Sequence, residues 1–164
     1  MVPDTDLQLS VVIKALSEVV APAVDPANRL AVEQLHLSIA TIGLVQRGLP
    51  LAHARARREL VNALDLADAV ATAGGHVGST DDARAALEEA RASEADLDVV
   101  RKRLLAAIEA GVTASVGTKA ETPVARAVIA ASKAQFDLAR AWGAPAGFEV
   151  ERGALPSLES LLSE

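Results

Sequence analysis

The 164-residue chain has no cysteine and no tyrosine, one tryptophan, one methionine, two phenylalanines and three histidines. Without thiols it has no disulfide framework, no cysteine-ligated zinc and no cysteine nucleophile. Aromatic residues make up 2% of the sequence, too few for the stacking platforms that hold single-stranded nucleic acids. Basic charge is also short. Sixteen Lys and Arg against 22 Asp and Glu leave a net charge of −6, which repels phosphate backbones and anionic bilayers, so no nucleic-acid partner is expected. Long apolar runs are missing too: the longest stretch without a charged residue, Gln34 to Gln46, is well short of the ~20 residues a membrane span needs. Met1 to Asp6 is acidic, and the apolar residues after it are interrupted by Gln8, Ser10, Lys14 and Glu18, which is no secretory leader. A cytoplasmic protein with no membrane partner is the expectation.

What the chain has in abundance is alanine. It accounts for much of the 51% hydrophobic content and the mean hydropathy of +0.26. Together with the preference for Arg over Lys, it is the bias expected of a GC-rich bacterial genome. Small side chains let helix axes approach closely, but each buried Ala contributes far less than a buried Leu, so stability must come from long contacts. The sequence therefore predicts an all-α fold: an antiparallel up-and-down bundle of four to six helices with an Ala-rich core. Its length suffices for one core without metal or disulfides. Residues 1–142 are expected to form the bundle, and 143–164 a linker and a short amphipathic tail, Pro156 to Leu162, that packs on the same domain or on a dimer mate.

Apolar spacing predicts a first helix from Asp6 to Val20, ended by Pro22. Asp25 before Pro26 reads as the cap of a second helix. That helix runs to Arg47, with Gly48 as its left-handed cap. Between Leu35 and Val45 it is apolar around most of its circumference, which makes it the candidate centre of the bundle. A third helix, Leu51 to Ala73, carries Ala56, Leu60, Ala63, Leu64, Ala67 and Val70 on its inner stripe and ends at Gly74 and Gly75. From Ala83 the small and apolar residues recur every three or four positions to Gly111, through Ala86, Ala90, Ser93, Leu97, Val100, Leu104 and Ala107, which favours one long helix over two. A second capping pattern at Ser93 and Asp96 marks where it would break. Gly111 to Glu121 reads as a loop. Thr122 and Pro123 then start a last long helix to Trp142, with Val128, Ile129, Phe136 and Ala139 inward.

Few residues carry recognisable chemistry. Glu33 and His36 have the Glu-x-x-His spacing that places both side chains on one helix face toward a dinuclear metal. The cage would need a second such pair, and neither His53 nor His76 follows a Glu by three, so no metal and no cofactor are assigned. The same pair with Thr41 and Trp142 could instead line a small-molecule site between helices. His53, Arg55, Arg57 and Arg58 form a basic cluster able to face a carboxylate, a phosphate or a protein partner. The glycine-rich loop Gly74 to Thr80 lacks the Lys of a phosphate cradle and has Asp81 and Asp82 where a phosphate would sit. There is no nucleophile elbow. The balance of these features points to a non-enzymatic interaction or accessory protein that self-associates, a homodimer above all, with a ligand-binding or metal-dependent bundle centred on Glu33 and His36 as the alternative.

Overall fold

A computed structural model describes residues 4–89, 92–146 and 155–163. All of the regular structure among them is helical: α1 (Thr5–Ala15), α2 (Arg29–Gly48), α3 (Ala52–Thr72), α4 (Asp81–Glu88), α5 (Glu94–Ser115), α6 (Glu121–Gly143) and a short α7 (Leu158–Leu162). Helices α3, α4, α5 and α6 pack on one another as a bundle. None of those described is long and apolar enough to cross a membrane. The chain divides into two compact units, the described parts of which are residues 4–51 with 142–146, and 52–141 with 155–163.

The second unit holds the core. Leu60, Ala63, Leu64, Ala67 and Val70 of α3 are buried with Leu97, Leu104 and Ile108 of α5 and Val124 of α6. The centre is thus α3 and not the second helix, whose buried residues are Gly43 and Gly48 alone. The difference lies in the width of the apolar surface: α3 has a defined stripe bounded by charge, which fixes one inward face, whereas a helix apolar all round has no such preference. Cross-helix contacts give the directions. Arg84 of α4 forks onto Asp68 at 3.0 and 2.9 Å, while Arg57 donates to the Leu87 carbonyl, so α4 runs antiparallel to α3. Arg101 lies 3.6 Å from Glu59 and Gly111 lies against His76, so α5 returns parallel to α3. Val124 meets Gly75 and Gln135 bonds Asn62, so α6 is antiparallel again. The short α7 lies on α3.

Several boundaries differ from the sequence expectation, each for a local reason. The long helix from Ala83 is two. Glu89 is extended, with ψ 104°, and α5 restarts with a reciprocal capping box in which Ser93 Oγ accepts from the Asp96 amide and Asp96 accepts from the Ser93 amide. The spacing of small residues keeps its phase across the break, because Ala83, Leu97, Leu104 and Gly111 are all buried; Ala90 lies outside the described residues. Gly111 does not end a helix but sits within α5, which runs on to Ser115. At the other terminus, Asp25 caps a turn by accepting from the Ala27 amide at 2.9 Å, and Asn28 is the N-cap of α2, accepting from Ala31.

In α6 the buried side chains are Val124, Leu138 and Ala141, with Val128 partly covered. Ile129 and Phe136 are instead 76% and 66% exposed; they stand seven apart on a flank that the stripe through Val124, Val128 and Gln135 turns away from the core. The end of α3 follows expectation: Gly74 adopts φ +90°, its amide bonds Ala71 and that of Gly75 bonds Val70 at 2.9 Å, the paired bonds of a Schellman cap.

The first unit is a helical hairpin. Gln46 Nε2 near the end of α2 donates to Asp6 Oδ1 at 2.9 Å and Ser10 Oγ at 2.7 Å near the start of α1, so the two helices are antiparallel. Helix α1 does not stop short of Pro22. It continues through a π-turn, Leu16–Val20, into Ala21–Ala23, with the Ala21 amide bonding Leu16. A proline ring clashes with the carbonyl four residues back and has no amide to offer it; a widened turn just before the ring accommodates both problems.

The capping box has a pH consequence. Hydrogen bonds from the Ser93 side chain and then from its amide hold the Asp96 carboxyl below its ordinary value of 3.8. A depressed carboxyl stabilises the folded state fully above that unfolded value and loses its effect as pH falls through the folded one. The start of α5 is therefore expected to loosen only in acid, below the usual carboxylate range. Ser93→Ala should lower Tm by about 2–4 °C and return the Asp96 pKa toward 3.8, readable by carboxyl-carbon NMR titration.

Candidate functional site

Glu33 and His36 lie side by side on α2, lining a shallow open groove of about 470 Å³ with Pro26, Arg29, Val32, Leu37 and Ala40. Both are exposed. Among the described residues no group of three or more His, Asp or Glu converges to hold a metal ion. Thr41 is on another side of the helix, about 140° around from His36 at ~100° per residue, and its hydroxyl bonds the Leu37 carbonyl at 2.8 Å. Trp142 stands against Gly48, twelve residues beyond His36, or about 18 Å along the axis. The structure therefore brings Glu33 and His36 together, but neither Thr41 nor Trp142 with them.

Gly48 has its own role. It is helical rather than left-handed, and an added Cβ would stand 2.5 Å from the Trp142 ring. The missing side chain makes the seat for the indole. Gly48→Ala is expected to push the ring off α2 at a cost of about 1–3 kcal/mol, seen as an earlier urea midpoint.

The basic cluster at the start of α3 is largely engaged within the protein. Arg55 Nε donates to Glu59 at 2.8 Å, Arg57 spans to the Leu87 carbonyl at 2.7 Å, and His53 is exposed; Arg58 is half-buried and also has an interaction partner. Arg57 thus ties α3 to α4, while Arg55 is paired within α3. From Glu59 the ion pairs continue to Arg101, then to Asp98 at 2.6 Å and on to Lys102. Lys102, and secondarily Arg101, hold the Asp98 carboxyl below its ordinary range.

Beside that network is a constellation the sequence did not single out. Glu59, Asn62, Ala63 and Leu66 of α3, Arg101 and Leu105 of α5, and Ala131, Ser132, Gln135 and Phe136 of α6 enclose a cleft of about 230 Å³. Asn62 is 5% exposed. Its Nδ2 donates to Gln135 Oε1 at 3.1 Å, whereas its Oδ1 is buried and accepts no hydrogen bond. The available signal was a polar residue at position 62 within the Leu60, Ala63, Leu64, Ala67 stripe. Comparison with protein families, with characterised proteins and with solved structures finds no match to this chain.

Proposed function

We propose that this chain is an interaction protein that assembles with a second copy of itself through its N-terminal hairpin. The observation that carries the reading is a hairpin without a core. In residues 4–51 the buried positions are Gly43 and Gly48, while Leu7, Val11, Val12, Val19, Val20, Leu30, Leu37, Val45 and Leu49 are all exposed. Two helices with so little burial cannot offset the entropy of ordering their chain. A partner surface would supply what is missing.

The identity of the partner follows from the pattern. Leu30, Leu37 and Leu44 recur every seven residues with Gln34 and Thr41 between them, the alternation of a two-stranded seam with Leu at its d positions. The hydroxyls of Ser38 and Thr41 bond carbonyls of their own helix, so neither brings an unmet donor to this stretch. A face about 30 Å long and two helices of about 10 Å across comes to roughly 600 Å², near the ~800 Å² per partner of a stable interface. Such a face pairs naturally with its own copy about a two-fold axis, giving an intermolecular four-helix bundle.

Sedimentation equilibrium of the full chain at micromolar concentration tests this. A dimer, with amide exchange slowed across α1 and α2, is the expected result. A strict monomer whose hairpin amides are nonetheless protected would overturn the reading.

A further inference from the structure

We infer that the cleft between α3, α5 and α6 is a binding site for a small neutral molecule, the size of one ring or two fused rings, that carries one N–H or O–H donor. This inference is independent of the hairpin and of Glu33 and His36. It starts from Asn62. An acceptor buried without a donor is rare and costly in a folded protein, and Asn62 Oδ1 is such an atom, on a side chain that lines the cleft. The side-chain amide of Asn turns easily about its last torsion; such a turn would bring this oxygen to a donor in the cleft and exchange the present bond to Gln135 for one to the ligand.

Size, charge and surface then define the ligand. A dry apolar cavity of about 150 Å³ accepts benzene, so 230 Å³ leaves room for a ring with a substituent or a second fused ring. The two charged residues at the rim are already matched: Glu59 faces Arg55 and Arg101, and Arg101 faces Asp98. A charged ligand would have to break those pairs, whereas a neutral one leaves them intact. Ala63, Leu66, Leu105 and Ala131 offer apolar contact. Phe136, 66% exposed at the edge of the cleft, presents an aromatic face that a second ring can stack against.

Methyl NMR of the full chain titrated with indole, N-methylindole, phenol and toluene tests the assignment. Indole and phenol should give saturable shifts confined to Leu66, Leu105 and Ala131, with N-methylindole and toluene roughly tenfold weaker for want of the donor. Asn62→Leu should erase that tenfold difference. Phe136→Ala, at a side chain the fold does not bury, should weaken indole binding without moving the thermal midpoint, which keeps the test open if Asn62→Leu fails to fold. Absence of saturable shifts for all four probes, or equal affinity for indole and N-methylindole, overturns the proposal. So does a donor preference that survives Asn62→Leu, since the oxygen would then serve water alone.

Discussion

Alanine in place of Gly111 is expected to lower Tm by about 5–10 °C, since among the described glycines this is the one where an added methyl group would come nearest to another atom. Gly111 lies within α5, and a Cβ built on it would sit well inside van der Waals contact of the His76 carbonyl oxygen and carbon. Neither partner can swing aside, because one is helix backbone and the other is the backbone of the loop that follows the Gly74 cap. Alanine would add about 1 kcal/mol of helix propensity. Overpacking against a rigid neighbour costs about 3 kcal/mol or more, so the clash outweighs the gain by about 2–3 kcal/mol. A chain of this length shifts by about 2–4 °C per kcal/mol. Gly43 supplies the control: its nearest neighbour is the mobile Arg47 guanidinium at 3.4 Å, so Gly43→Ala should be neutral or stabilising. Thermal melts followed by circular dichroism would separate the two, and a Gly111→Ala protein as stable as the parent would show that the loop is not packed on α5.

Leu37→Asp should weaken self-association at least a hundredfold, and the separated chain should lose amide protection and helix content in α1 and α2. Leu37 is 40% exposed, so in a lone chain the exchange costs a few tenths of a kcal/mol of helix propensity and the contacts of the part already covered. In a two-fold interface each copy would bury one unpaired carboxylate. Even a modest penalty of about 1.5 kcal/mol per copy, counted twice, exceeds the 2.8 kcal/mol that a factor of about one hundred represents. Light scattering across a dilution series would show it. Dimerisation as strong as that of the parent would place the contact elsewhere on the molecule.

The fold is legible in the sequence where one physical signal dominates. The α3 stripe from Leu60 to Val70 alternates with charge at helical spacing, and its glycine cap has no competing explanation; the structure shows both. It is less legible where two signals compete. The small-residue spacing from Ala83 to Gly111 asked for one helix, and the Ser93–Asp96 box asked for a break; the box prevailed because it satisfies the orphan amides of α5 locally. Gly111 looked like a terminator, yet its value lies in a close approach of two backbones that no local pattern announces. The second helix reads as the centre because it is apolar all round, yet its buried residues are Gly43 and Gly48 alone. The cleft at Asn62 was not visible for a simpler reason. Its polar members, Glu59, Asn62, Arg101, Ser132 and Gln135, are spread over three helices and more than half the length of the described bundle unit, so no short spacing links them.

The seat that Gly48 makes for Trp142 carries a practical consequence. As the chain has one tryptophan and no tyrosine, its near-ultraviolet emission comes from a single place, the end of α2, which belongs to the hairpin unit. Ellipticity at 222 nm, a wavelength set by the peptide group in any helix, is instead averaged over every helix. Unfolding curves recorded by the two signals are thus reports from different parts of the molecule, and a gap between their midpoints would reveal two separately melting pieces where coincidence would mark one cooperative body.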